Sequence, residues 1–421
     1  MPHSAFEDLR RTVEAALAVE DATAALAALR PVARAVAAEH GAEFRTLIAN
    51  IPDAAWRADA EIASAMGASY RAAGSPRGSS AIGYFRAADA ALAARNQDAD
   101  PDRVRVWLGH AAALRSLGQL ESAQRLGKRA RTLDVPDGIH SIFSTHVGLG
   151  ARCALEMGML DLHLGDLDAA RRKLEYANGL AAEHLIRAER IEVLGGLALI
   201  DFARSALETA SRYIAQARAL AAGTELWTTG YAAPALVAET LVAVERHDLE
   251  GAAEIESAML DAAGNSDWEP FSYIAASYQR LASRQLAEGL DLLQRARDGF
   301  RGWSPAGVGL SLEELFRASL LVELDQGEEA WSILRDLPRY EHRVLCPAPI
   351  TAQLRLGNGD LRGAGDALEE CEQHPDNHSP RTIVEIQMLR AAIEFEKGEI
   401  RFADVMFDRA LVTIARTGSR A

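Results

Sequence analysis

The sequence predicts an all-α superhelical solenoid of about nine degenerate helical hairpins, each of about 40 residues. Three observations carry the prediction. A turn residue is followed by an apolar residue two positions on, a small residue at five and a second small residue seven beyond that, and this pattern recurs along the chain. The first small residues of the copies are Ala81, Ala123, Ala170, Ala210, Ala252, Gly289, Ala330, Ala364 and Ala403, at intervals of 34 to 47 residues. Seven residues before each turn, from the second copy onward, stands another small or short residue: Ala111, Gly158, Ala198, Thr240, Ser277, Ala318, Ala352 and Ala391. A hairpin needs such a residue where its first helix crosses the second, because a bulky side chain would push the axes beyond the usual separation of about 8–10 Å.

The elements follow in chain order. Gly74, Ser75, Pro76, Arg77, Gly78, Ser79 and Ser80 combine breaker and helix-start residues, which sets a boundary between a lead-in over residues 1–74 and an array over residues 75–421. A partial copy centres on Ala81. The second is Gly118, Leu120, Ala123 and Ala130; the third, among the clearest, is Gly165, Leu167, Ala170 and Ala177; the fourth is Ser205, Leu207, Ala210 and Ala217. Partial copies centre on Ala252, Gly289 and Ala330. Gly359, Leu361, Ala364 and Cys371 form the eighth, and Gly398, Ile400, Ala403 and Ala410 the ninth.

Composition agrees with a folded helical chain and excludes several classes. With 421 residues, 49% hydrophobic and 25% charged, the chain can bury a large core. No stretch approaches 18 uninterrupted apolar residues, and Glu7, Asp8, Arg10 and Arg11 interrupt the amino-terminal region, so neither a membrane span nor a secretory signal is expected. Three scattered cysteines, Cys153, Cys346 and Cys371, make no disulfide framework and fit thiols in a reducing cytoplasm. A formal charge of −15 disfavours phosphate backbones, so direct nucleic-acid binding is not expected. The basic cluster Arg125, Lys128, Arg129 and Arg131 reads as the solvated face of one helix.

The repeat pattern resembles the tetratricopeptide repeat, whose small first-helix residue and glycine-to-alanine spacing it reproduces from about Ser75 onward. It departs in having a period above the family's 34 residues and in having only Trp107 at the aromatic position near the start of a first helix. Longer, degenerate units of this kind are similar to the sensor region of the MalT-like branch of LuxR-type bacterial transcription regulators. The run from Phe44 to Gly74, with Leu47, Ile51, Pro52, Trp56, Met66 and Gly67, resembles the irregular helical lead-in that precedes the repeats in many such regulators. The resemblance implies an effector-sensing or partner-binding region. A regulator of that group ends in a helix-turn-helix, whereas this sequence reaches Ala421 directly after a repeat helix, and it carries no G-x-x-x-x-G-K-[ST] phosphate loop. The expectation is therefore a sensor region separated from its output domain or a standalone protein-interaction scaffold.

No catalytic signature appears: there is no G-x-S-x-G elbow, H-E-x-x-H helix or paired C-x-x-C, and Gly307 and Gly309 follow no strand. No enzyme activity and no cofactor are expected. Cys371, His374 and His378 have a metal-like spacing in an inter-repeat loop with Pro375 and Asn377, but zinc in structural sites takes four ligands and no fourth is evident, so the string reads as a solvated loop and no metal is assigned.

The inner face carries the functional expectation. In tetratricopeptide arrays the first helices line a concave groove, at positions three before, one after and four after the small crossing residue. These offsets give Leu108, Leu155, Val237, Ile274, Leu315 and Met388; then Met159, Leu199, Leu241 and Tyr278; then Leu162, Phe202, Val244, Leu281, Val322, Leu356 and Phe395. The stripe is apolar and lacks the Lys and Asn residues with which chaperone-tail clamps hold a carboxylate. Either it packs on itself as the superhelix tightens, or the middle repeats enclose an apolar pocket. On the second reading, an apolar or aromatic small-molecule effector, or alternatively a protein partner, binds at Met159, Leu199, Phe202, Leu241, Phe271 and Tyr278. Arg152 and Glu192, at equivalent repeat positions, would orient a polar end or form a structural ion pair. Trp227, Tyr231, Trp268, Phe271, Tyr273 and Trp303 enter the same repeats, where inter-repeat packing is their ordinary use.

Overall fold

The computed structural model describes residues 3–71, 79–94, 101–131, 147–264, 266–304, 307–337 and 346–417. Among these residues there is no strand. Six helices open the chain: α1 (His3–Ala18), α2 (Ala22–Leu29), α3 (Ala33–Glu39), α4 (Gly41–Ala49), α5 (Asp53–Arg57) and α6 (Ala60–Ala68). α7 (Ser79–Ala93) packs on α6. Eight hairpins follow: α8 and α9 (Pro101–Ser116, Leu120–Arg131), α10 and α11 (Val147–Leu164, Leu167–His184), α12 and α13 (Arg187–Ala203, Leu207–Ala221), and α14 and α15 (Ala233–Glu245, Leu249–Ala263). The last four are α16 and α17 (Glu269–Ala282, Leu286–Gly299), α18 and α19 (Gly309–Glu323, Gly327–Asp336), α20 and α21 (Ala348–Gly357, Leu361–Gln373), and α22 and α23 (Pro380–Glu396, Ile400–Thr417). Counting α6 with α7, these are nine antiparallel-type pairs; the predicted boundary at residues 74 and 75 lies outside the described residues.

The repeat register is explained by the hairpin turns. Each of the eight turns from α8–α9 onward holds one residue at positive φ: Gly118, Gly165, Ser205, His247, Arg284, Asp325, Gly359 and Gly398. The residue after it donates its backbone N–H back five positions, as Gln119 to Leu114, Asp166 to Asp161, Asp248 to Ala243 and Glu399 to Glu394, which closes each first helix in a Schellman motif. Asp166, Asp248 and Asp360 then cap the second helix, their side chains accepting from the N–H groups of Ala169, Gly251 and Gly363. The small residues are the contacts between the helices so joined. Ala123, Ala170, Ala210, Ala252, Ala330 and Ala364 are buried on the second helices, and Ala111, Gly158, Ala198, Thr240, Ser277, Ala318, Ala352 and Ala391 are buried on the first. Neighbouring pairs bring their backbones close together at Gly195, where an added Cβ would stand 2.6 Å from the backbone nitrogen of Ala235.

The lead-in folds onto this array. Phe6, Val13, Leu29, Phe44, Ile48, Trp56, Ile62 and Met66 form a core continuous with Ala88, Leu92 and Val106. Phe85 wedges between Gly67 and Gly109, where any Cβ would overlap its ring. Gly230 donates to the Arg71 carbonyl, and Arg34 reaches Glu189, so the lead-in also touches the fourth and fifth pairs. The connection from α17 to α18 turns inward as well: Ser304 donates to the Gly118 carbonyl and Val308 to that of His163. The superhelix is thus bridged across its own interior, and its inner face divides into a filled part and an open part.

Candidate functional site

In the filled part the concave face is charged. Arg115 lies on α8, four residues after the crossing residue Ala111, and only 1% of it is exposed. Its guanidinium bonds Asp267 and donates to Glu192 at 2.9 Å, with Glu156 at 3.5 Å. Arg71, from the lead-in, donates to both Glu192 carboxylate oxygens, at 2.6 and 3.1 Å, and stacks 4.3 Å from the Tyr231 ring centroid. His163 Nε2 is 2.9 Å from Asp267 Oδ2, and Arg152 pairs with Glu189 at 3.2 Å. Burial alone would raise the Asp267 carboxyl, but Arg115, His163 and Arg71 hold it well below the usual carboxylate range. Burial pushes Glu156 the other way, up to about 7, against Arg115 and with Glu192 nearby. Arg71 comes from the lead-in, Arg115 from α8, Arg152, Glu156 and His163 from α10, Glu189 and Glu192 from α12, and Asp267 from the segment just before α16, so the network ties the lead-in and the second, third, fourth and sixth pairs together.

Beyond His163 the interior opens into a cavity of about 640 Å³. Its apolar wall comes from Leu162, Leu199, Phe202, Val237, Leu241, Ile274, Leu281, Leu315 and Met388, all at groove offsets of the repeat, together with Trp268, Phe271, Leu312, Phe316 and Ile350. Seven consecutive pairs, from α10–α11 to α22–α23, contribute. Polar groups cluster where the ninth pair meets the earlier ones. Arg381 donates its backbone N–H to Ser205 Oγ and pairs through its side chain with Glu245 at 2.7 Å and Glu385 at 3.0 Å. The Tyr278 hydroxyl donates to Glu245 at 2.7 Å while Arg381 lies 4.9 Å from the ring centroid. Burial and Glu245 push that phenol well above its ordinary value despite Arg381, so it is a hydrogen-bond donor.

Four of the predicted binding residues, Leu199, Phe202, Leu241 and Phe271, share this cavity. Met159 is fully buried in the core of the third and fourth pairs, with its sulfur against Gly196. Tyr278 is buried beneath Phe316, ring centroids 5.5 Å apart, as part of the latch with Glu245 and Arg381. Arg152 and Glu192 belong to the charged network but not as a pair with each other: Arg152 meets Glu189, and Glu192 meets Arg71 and Arg115. Trp268, Phe271 and Trp303 gather around His163, at 4.7, 5.2 and 6.0 Å between centroids, and so pack the repeats while closing one end of the cavity. Sequence reading did not single out Arg115, Asp267, His163 or Arg381. Arg115 sits at the offset that yields Leu162 and Phe202, a usable signal; His163 and Asp267 meet across 104 residues, and the local Arg381–Glu385 spacing gives no sign of the distant partner Glu245.

No family model matches the chain, and no curated protein matches it. Among solved structures, a Rap protein complexed with Competence and Sporulation Factor is similar over 91% of this chain and 98% of that chain, at 12% identity and a TM-score of 0.56. The apo form of RapI aligns over 81% and 94% of the two chains at 11% identity with a TM-score of 0.42, and yeast Tom70 over 98% and 94% at 13% with 0.38. At these identities the likeness concerns the fold, and only the first is close enough to carry weight. Fold and interior together define a tetratricopeptide-like helical-repeat scaffold whose superhelix holds a mainly apolar, partly open cavity. Among the described residues no helix is long and apolar enough to cross a membrane.

Proposed function

We propose that the chain is the effector-sensing, partner-binding region of a LuxR-type transcription regulator, and that its effector is an apolar or aromatic compound held in the superhelix interior. The observation that carries the sensing part is the cavity. Its volume falls within the range of about 300–1,000 Å³ usual for small-molecule sites. Its wall is drawn from the middle pairs and from the ninth, so an occupant would touch segments far apart in sequence and favour the closed arrangement that Arg381 latches. Arg381 and Thr382 offer donors, and Glu245 and Glu385 acceptors, to a polar end of such a compound. The regulator part rests on the long degenerate repeats and the lead-in, and a helix-turn-helix encoded in frame beyond codon 421 would support it.

A second reading, a protein-interaction scaffold, is favoured by one surface. The ninth pair exposes Phe395, Phe402, Phe407, Leu411 and Val412, with Val412 at 68%. Large exposed apolar side chains concentrated on one helix pair are candidates for a contact surface. The Rap protein, complexed with Competence and Sporulation Factor, shows the same fold in a partner-bound form.

The test is a thermal-shift screen of aromatic metabolites, because binding to the folded state raises the midpoint with ligand excess. A hit should lose its shift in Phe202→Ala and keep it in Leu356→Ala, whose side chain packs in the eighth pair's core and does not line the cavity. Equal shifts in both variants would place the compound elsewhere.

A further inference from the structure

The string Cys371, His374 and His378 does not act as one loop. His374 is exposed, while Cys371 and His378 turn inward and meet Cys346, which lies just before α20. The two sulfurs and a ring nitrogen of His378 all lie within 4.8 Å of one another, and all three residues are buried. This is the one such group of three among the described residues.

We propose that Cys346, Cys371 and His378 bind a zinc ion. The Sγ atoms are 3.7 Å apart. Two sulfurs bonded at about 2.3 Å to a tetrahedral zinc are separated by about 3.8 Å, so the pair already spans one edge of the coordination tetrahedron. A disulfide would need about 2.05 Å. His378 Nδ1 donates to the His374 carbonyl at 3.0 Å, the second bond that metal-binding histidines commonly make, which assigns the ligating role to Nε2. The donor set of two sulfurs and one imidazole suits a borderline-soft cation and offers nothing to calcium or magnesium, which take oxygen ligands.

Charge balance fits the surroundings. On binding, each thiol releases its proton to solvent, and two thiolates neutralise the dication among Ala352, Leu368, Ile386 and Ile393. Three protein ligands leave a fourth position for water or a donor atom from a bound molecule. Cys346 and Ser379, next to His378, both line the large cavity, so the centre sits in its wall. The inference holds whatever occupies that cavity.

The experiment is a cobalt(II) titration of the full reduced chain, since cobalt replaces zinc and reports its ligands optically. One equivalent should give thiolate-to-cobalt charge-transfer absorption and the intense visible bands of a tetrahedral ion, both removed by zinc. Cys346→Ser and His378→Ala should each lose stoichiometric binding, whereas Cys153→Ser and His374→Ala, the latter retaining its backbone carbonyl, should keep it. Circular dichroism establishes that each variant is folded. The proposal is overturned if the folded, reduced wild-type chain gives no such spectrum, if the spectrum persists in Cys346→Ser or His378→Ala, or if the chain prepared with zinc contains a Cys346–Cys371 disulfide.

Discussion

Arg115 shows how this scaffold uses charge. A buried cation is tolerated only when its partners are also buried and well placed, and removing one member leaves the others desolvated and uncompensated. Arg115 faces Asp267, Glu192 and Glu156 with almost no solvent contact. Arg115→Met should therefore destabilise the fold by about 3–5 kcal/mol in urea unfolding, and a loss below about 1 kcal/mol would mean that the network is dispensable. Glu156 adds a pH dependence. Its carboxyl is raised to about 7 in the folded chain, above the ordinary value of 4.5, so the folded state holds the proton more tightly. Its contribution is fully present below about pH 4.5 and is lost as pH rises through about 7. Asp267 has the opposite sign: its lowered value contributes stability above its ordinary 3.8, lost as pH falls through the folded value. Glu156→Gln should flatten the decline in stability between about pH 5 and pH 8, a difference of up to a few kcal/mol. An unchanged slope in chemical denaturation across that window would count against this assignment.

At the scale of the hairpin, the regular turn is what made the fold legible. Glycine at Gly118, Gly165, Gly359 and Gly398 signalled the left-handed turn directly, and the small crossing residues fixed which faces meet. Where His247, Arg284 and Asp325 occupy that same backbone position, the turn residue itself is silent, and only the spacing to Ala252, Gly289 and Ala330 revealed the repeat. Non-glycine residues there carry strain of about 1–2 kcal/mol, partly offset by the greater freedom that glycine has in the unfolded chain. His247 is exposed, so His247→Gly should raise stability by about 0.5–1 kcal/mol. A fall in the unfolding midpoint would show that the imidazole makes a contact outweighing the backbone gain. The lead-in is different. Its short helices follow no repeat, and its packing against the fourth and fifth pairs depends on single residues such as Arg71 and Arg34, which no spacing rule picks out.

At the scale of the whole molecule, register read from sequence locates the inner face but not how far it closes. The same groove offsets place Leu155 and Met159 in fully buried cores and Leu199, Phe202 and Leu241 on the cavity wall. Leu155 and Met159 are covered by the core of the third and fourth pairs themselves, while the α17–α18 connection, the lead-in and the N-terminal end of α22 reach across the interior through Ser304, Arg71 and Arg381. Contacts of this range are set by the pitch of the superhelix, which accumulates from small rotations at every pair interface. The central claim is that the resulting cavity binds an apolar molecule. Titration with anilinonaphthalene sulfonate, whose rings match the apolar wall and whose sulfonate matches Arg381, tests it under native conditions. Saturable binding of one probe with blue-shifted emission is expected in the wild-type chain, with clearly weakened binding in Leu241→Trp, where the larger side chain intrudes on the cavity wall. Saturable binding that is unchanged in folded Leu241→Trp, or no saturable phase in the wild type, would contradict the central claim.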